Sequence, residues 1–282
     1  MGTSSSSSGP GAGVPFDPPW LSSIPPEVSS PLENIAGEGS EEDQSKQPYE
    51  SVTQPPVLAP ARRFANARRY LGEYLKKGNR DSLRKALGHY SSSGMGGSAN
   101  VAKRMRTSTS VGAGLYNFFQ GIRDSSDPKI MDWVNQLTSQ NLSAYEIADQ
   151  IIHQVISSGG SLEEESCRNS MAIAISDLLE INSDINLMSM NNNNIWTIIE
   201  LFIANEAFNR LYLDIGQSFE SAKYSFSEDV SRMNNMKEYL KSEISAQIQI
   251  LRNDNLNPTK DEINNLLQSA LKETFKVFEE EI

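Results

Sequence analysis

The stretch MGTSSSSSGPGAGVPFDPPWL, residues 1–21, cannot form a packed element, and that confines any folded body to the residues beyond it. Ser4 to Ser8 run without interruption, and Gly2, Gly9, Gly11 and Gly13 alternate with Pro10 and Pro15. Gly maximises backbone freedom, while Pro removes a donor and favours extended chain. Such a segment buries too little apolar area to offset its ordering entropy. It nevertheless ends in an apolar cluster of Val14, Phe16, Pro18, Pro19, Trp20 and Leu21. A solvated tail with an aromatic anchor suits presentation to a partner. Eight of the thirteen prolines precede residue 50, and GEGSEEDQSK at 37–46 reads as an acidic linker. Residues 1–59 are therefore expected to be a disordered arm.

The extreme end carries chemistry of its own. A small second residue permits removal of Met1, which leaves Gly2 as the first residue. Its α-amine has a reference pKa of about 7.7–8.0, against about 10.4 for Lys, so a useful fraction is nucleophilic near neutral pH. Three readings of Gly2 stand side by side: a start with no role, N-myristoylation through the Gly2 and Ser6 pattern, or another acylation of the same amine. Lasting membrane attachment wants a polybasic neighbour, and no Lys or Arg occurs before Lys46.

Charge divides the 282-residue chain into three. Residues 1–60 carry net −7, residues 61–125 net +10 and residues 126–282 net −14. The expected organisation matches these blocks: an arm over 1–59, a basic helical region over 60–125 and an acidic helical bundle over 126–282. The single cysteine, Cys167, excludes an intrachain disulfide and fits a reducing cytoplasm. With only His89 and His153 beside it, no zinc site is expected. No apolar run is long enough to span a membrane.

After residue 60 the periodicity is helical throughout, and the expected fold class is all-α. Residues 61–77 place Phe64, Ala67, Leu71, Tyr74 and Leu75 at helical spacing, with Gly78-Asn79 as the stop. Asn79 or Asp81 caps the next helix, which carries Leu83, Leu87 and Tyr90 on one face. SSSGMGGSAN at 91–100 reads as a loop, with Ser98 capping a helix from Ala99 to about Gln120. Ser143 with Glu146, Ser161 with Glu164 and Thr259 with Glu262 form three capping boxes. Asn191 to Asn194 reads as a polar break. The segment 195–216 is the most apolar and is expected at the centre of the bundle. Residues 218–252 supply one or two more helices, and the last helix buries Ile263, Leu267, Leu271, Phe275 and Phe278.

No catalytic constellation and no cofactor of its own is expected. Gly94, Gly96 and Gly97 resemble a phosphate loop in composition, but the Gly-Lys-Ser/Thr ending and a preceding strand are missing, so an interhelix turn is the better reading. His89 near a helix end suits a cation, His153 suits a core edge, and Cys167 suits a buried structural role despite Arg168 beside it. The basic block is the alternative functional feature. Arg62, Arg63, Arg68, Arg69, Arg84, Lys85, Lys103 and Arg104, interleaved with Phe64, Tyr70 and Tyr74, could track nucleic-acid phosphates. They could equally dock on the chain's own acidic block.

The MGTSSS start, the tail ending in PPWL at 18–21, PARRF at 60–64, ARRYL at 67–71 and SLRKALGHYSSSGMGGSANVAKRM at 82–105 resemble the QatB family of a bacterial anti-phage system. The resemblance is tightest over Met1–Leu21 and Pro60–Arg106. It implies a cytoplasmic, non-enzymatic subunit accompanied by an ATPase, a QueC-like enzyme and a TatD-like nuclease. The QueC-like enzyme is the main expected partner. It would join a 7-deazaguanine derivative to the amine of Gly2. Thr3, Ser4 and Ser5 would thread its pocket, Gly9, Pro10, Gly11 and Pro15 would give reach, and Trp20 and Leu21 would fill a groove.

Overall fold

A computed structural model describes residues 58–140, 142–156, 161–216, 226–252 and 258–282. The arm and its Gly2 to Leu21 tail lie outside these residues. Among the described residues the fold is all-α, with no strand.

The first two helices form a hairpin. Helix α1, Ala65–Lys77, buries Ala67, Leu71, Tyr74 and Leu75. It stops at Gly78, whose φ of 66° is the left-handed conformation that glycine adopts without strain. Helix α2, Arg80–His89, begins where the Asn79 side chain accepts a hydrogen bond from the Asp81 N–H at 3.0 Å. It does not give way to a loop at Ser91. Tyr90–Gly94 continues it as a π turn, and the chain breaks only at Gly96 and Gly97. Local packing accounts for this turn. A Cβ on Gly94 would sit 2.6 Å from the Phe64 ring, so this close approach requires glycine.

Helix α3, Ser98–Arg104, starts after Gly97 at φ 112°, and Ser98 is its first residue rather than its cap. The expected continuous helix to Gln120 is interrupted at Met105, whose φ/ψ of −98°/15° separates α3 from α4, Arg106–Asp124. Helices α5, Pro128–Thr138, and α6, Ala144–Val155, complete the middle of the chain. Helix α7 is Leu162–Ile181 and α8 is Asn192–Ile215. Asn191 caps α8 by accepting from the Asn194 N–H at 2.9 Å, so the asparagine run opens the helix instead of standing apart from it. The last two helices are α9, Phe226–Leu251, and α10, Lys260–Glu280. All three capping boxes form, at the starts of α6, α7 and α10.

Helix α8 runs through the centre. Leu201 to Ala207 are buried without interruption, and α4, α7 and α9 pack around the helix. Helix α10 lies across α2, α3, α4 and α9, where it buries Leu267, Leu271, Phe275 and Phe278. One hydrophobic core extends from Phe64 to Phe278, across the boundary between the basic and acidic stretches. No helix among the described residues is long and apolar enough to cross a membrane.

Candidate functional site

The hairpin carries most of the basic block, and the structure gives its cations two kinds of surroundings. Arg68 Nη2 donates to the Asp214 carbonyl of α8 at 2.8 Å. Arg84 Nε donates to the Tyr239 hydroxyl at 3.1 Å, and its Nη1 lies 3.3 Å from Glu281. Arg63 is buried, with its guanidinium 4.9 Å from the Phe64 ring centre. Arg68 and Arg84 thereby hold the hairpin to the acidic helices. Arg62, Arg69, Lys85 and Lys103 are exposed, and Arg104 is half-buried.

Arg69 and Lys85 converge on one aromatic pair. Tyr70 stacks on His89 with ring centres 5.3 Å apart and planes 7° from parallel. The Arg69 guanidinium lies 4.4 Å and the Lys85 amine 5.7 Å from the Tyr70 ring centre. Burial, and then the charges of Arg69 and Lys85, hold the His89 pKa below its ordinary value. The end of α2 therefore favours neutral His89, and the helix-end cation expected from sequence is overridden. His153 also departs from expectation. It is exposed on α6, with Nε2 3.8 Å from Asp149, and does not fill a core edge.

A second polar feature lies inside the bundle and has no local sequence signature. Glu206 on α8 is only 5% exposed. Its Oε1 accepts from Ser166 at 2.9 Å and Ser170 at 2.6 Å, both on α7. Its Oε2 accepts from Ser108 on α4 at 2.6 Å and from the Cys167 thiol at 3.5 Å. Asn209 extends the network by donating to the Ser170 hydroxyl at 2.8 Å. These donors occupy the lone-pair directions of the carboxylate, which makes it a joint between three helices. Burial, reinforced by the Glu206 carboxylate, pushes the Cys167 thiol far above its usual range, so it is not an activated nucleophile. Arg168 points elsewhere and pairs with Glu165 at 2.9 Å.

Above this joint opens a groove of about 590 Å³ between the α3–α4 junction, the first turn of α7 and the C-terminal turns of α8. Its walls combine Met105, Leu162 and Leu213 with Arg104, Glu163 and Arg210. Leu162 is 90% exposed and Leu213 is 74% exposed. The Glu163 carboxylate accepts from Thr107 at 3.2 Å and lies 3.9 Å from Arg210 Nη1. Arg210 Nε is buried and makes no hydrogen bond. Among the described residues no cluster of His, Cys, Asp and Glu is arranged to hold a metal.

Gly96 and Gly97 form the break between α2 and α3, and Gly94 sits in the π turn against Phe64. The structure thus brings Arg69 and Lys85 together, separates them from Arg63, Arg68 and Arg84, and leaves the tail residues undescribed.

Such a fold and surface define an all-α body with one continuous core, a cationic hairpin and an open groove. The family model described as "Qat anti-phage system associated protein QatB" matches residues 96–278, and this chain belongs to that family. The protein is accordingly a component of the Qat anti-phage system. The match begins at Gly96, so the arm, α1 and α2 lie before it. Comparisons with curated proteins and with solved structures gave no match.

Proposed function

We propose that this chain is a non-enzymatic subunit whose N-terminal Gly2 is presented to, and modified by, a QueC-like enzyme of the same defence system. The observation that carries the reading is the terminus itself. The sequence Gly2-Thr3-Ser4-Ser5, in which removal of Met1 would free the Gly2 α-amine, precedes a body of this family. In the proposed reaction, ATP activates the carboxylate of 7-carboxy-7-deazaguanine as an acyl adenylate, and pyrophosphate leaves. The Gly2 amine attacks the acyl carbon, AMP leaves, the nitrogen loses a proton, and an amide remains. The helical body docks on the enzyme and raises the local concentration of the tail. The ATPase and the TatD-like nuclease are the further partners this reading implies.

The test is the intact mass of the N-terminal peptide after co-expression with the QueC-like enzyme. A deazaguanine amide on Gly2 is expected, reduced by Gly2→Ala and absent in Gly2→Pro. An unmodified Gly2, or phage defence that persists in Gly2→Pro, removes the proposal.

A second reading has one observation in its favour. Tyr70, stacked on His89 and flanked by Arg69 and Lys85, combines an aromatic face with exposed cations, as single-stranded nucleic-acid binders do. Binding of DNA or RNA at low salt, weakened by Arg69→Ala with Lys85→Ala, would support it. No binding at low salt would eliminate it.

A further inference from the structure

We infer that the groove between α7 and α8 is the resting place of the chain's own apolar tail cluster, Val14 to Leu21, with Trp20 as the plug. Three observations lead there. The first is the groove itself. Leu162 and Leu213 are among the most exposed large apolar side chains of the body, and they flank one opening of about 590 Å³. That volume lies within the range of pockets that hold compact, mostly apolar ligands. It admits an indole together with one or two smaller side chains.

The second is where the arm leaves the body. Phe64, just after the arm, stacks on Tyr90 with ring centres 5.7 Å apart. The Tyr90 hydroxyl donates to Asp214 Oδ2 at 2.9 Å, and Asp214 is the neighbour of Leu213 in the groove wall. Phe64, at the start of the body, therefore lies within a few side chains of the groove. Residues 22–57 link the cluster to Leu58. A stretch of that length reaches at most about 120 Å when fully extended, which is long enough to bring the cluster to the groove in cis.

The third is chemical fit. The cluster's only charge is Asp17, beside Phe16. The groove offers Arg210, whose Nε is buried without an acceptor, in a lining that also holds Arg104 and the carboxylates of Glu163, Glu164 and Glu206. An apolar segment with one carboxylate satisfies a surface of exposed leucines with one unmet donor.

Docking there would keep the tail folded back until a partner competes for Trp20 and Leu21. The inference does not depend on the chemistry of Gly2, because it is read in the chain alone.

The experiment places p-benzoylphenylalanine at Trp20 of the full-length chain, irradiates it and maps the products by mass spectrometry. Cross-links to Met105, Leu162 or Leu213 within one chain are expected, with a yield independent of protein concentration. Leu213→Glu puts a charge against the apolar cluster and should lower that yield about tenfold, the equivalent of ~1.4 kcal/mol. Because Leu213 is exposed, the variant retains its fold, which circular dichroism checks. Tyr145→Glu, at an exposed site on α6 outside the groove, should leave the yield unchanged. Cross-links that map elsewhere, cross-links that form only between chains, no cross-link, or equal loss in both variants would each overturn the inference. None of these outcomes bears on whether Gly2 is modified, which the co-expression mass measures separately.

Discussion

Polar groups are handled in opposite ways at the centre of α8 and on the α1–α2 hairpin. At Glu206 a carboxylate is taken out of water and given short hydroxyl donors from two neighbouring helices. On the hairpin Arg69 and Lys85 stay at the surface and lie against a tyrosine ring. The interior solution is rigid, because each Ser hydroxyl must point at one oxygen. The surface solution is permissive, because a ring face accepts a cation over a range of positions. A buried network that loses its acceptor leaves several donors stranded, whereas a solvated cation that loses its ring returns to water.

The largest effect should come from breaking the interior side. Glu206→Ala removes the acceptor of Ser108, Ser166 and Ser170 together and should lower stability by about 3 kcal/mol or more, as measured by urea unfolding. Next comes the contact between hairpin and body. A Cβ on Gly88 of α2 would collide with the Phe278 carbonyl and the Ile282 side chain at the end of α10. Gly88→Ala should therefore cost about 1–3 kcal/mol in the same measurement. On the open side of the hairpin the sign reverses. A Cβ on Gly72 meets nothing within 4 Å, so Gly72→Ala should raise stability by about 0.5–1 kcal/mol through helix propensity alone. A loss at Gly72 as large as that at Gly88 would erase the distinction between the two sides.

The smallest effect concerns pH. The depressed pKa of His89 means that the unfolded chain binds a proton more readily than the folded one. The stability tied to His89 is complete above its ordinary pKa of 6.5 and is lost as pH falls from there through the lowered folded value. Arg69→Gln or Lys85→Gln should move the His89 pKa back up, as tracked by its ring-proton NMR shift. Arg62→Gln should not, since Arg62 is not among the charges acting on that ring.

Features decided within one or two helical turns were legible in the sequence. The three capping boxes, the Asn79 cap, the stop at Gly78 and the apolar stripe of α10 all appear where the spacing places them. The features that escaped depend on distant residues. The π turn at Tyr90–Gly94 rests on Phe64 meeting Gly94, and the core side of the Glu206 joint requires Ser108 to meet a residue 98 positions away. A glutamate in the most apolar segment was the one available hint, since a buried carboxylate requires donors somewhere. His89 misled because helix-end electrostatics favour its cation, while the cations of α1 and α2 that share its surface do not. The split at Met105 has no signal that single-sequence spacing can read.

The position of α10 also sets a timetable for the nascent chain. Helix α4 ends at Asp124 and its covering helix begins at Lys260, so over 130 residues must be made between them. At a synthesis rate of about 5–20 residues per second, that is a delay of roughly 7–27 s. During this interval the sides of Tyr90 and Gly112 that later receive Phe275 and Leu267 stay uncovered. The arm has already emerged by then, so any enzyme that acts on its first residue can reach it before the body has closed.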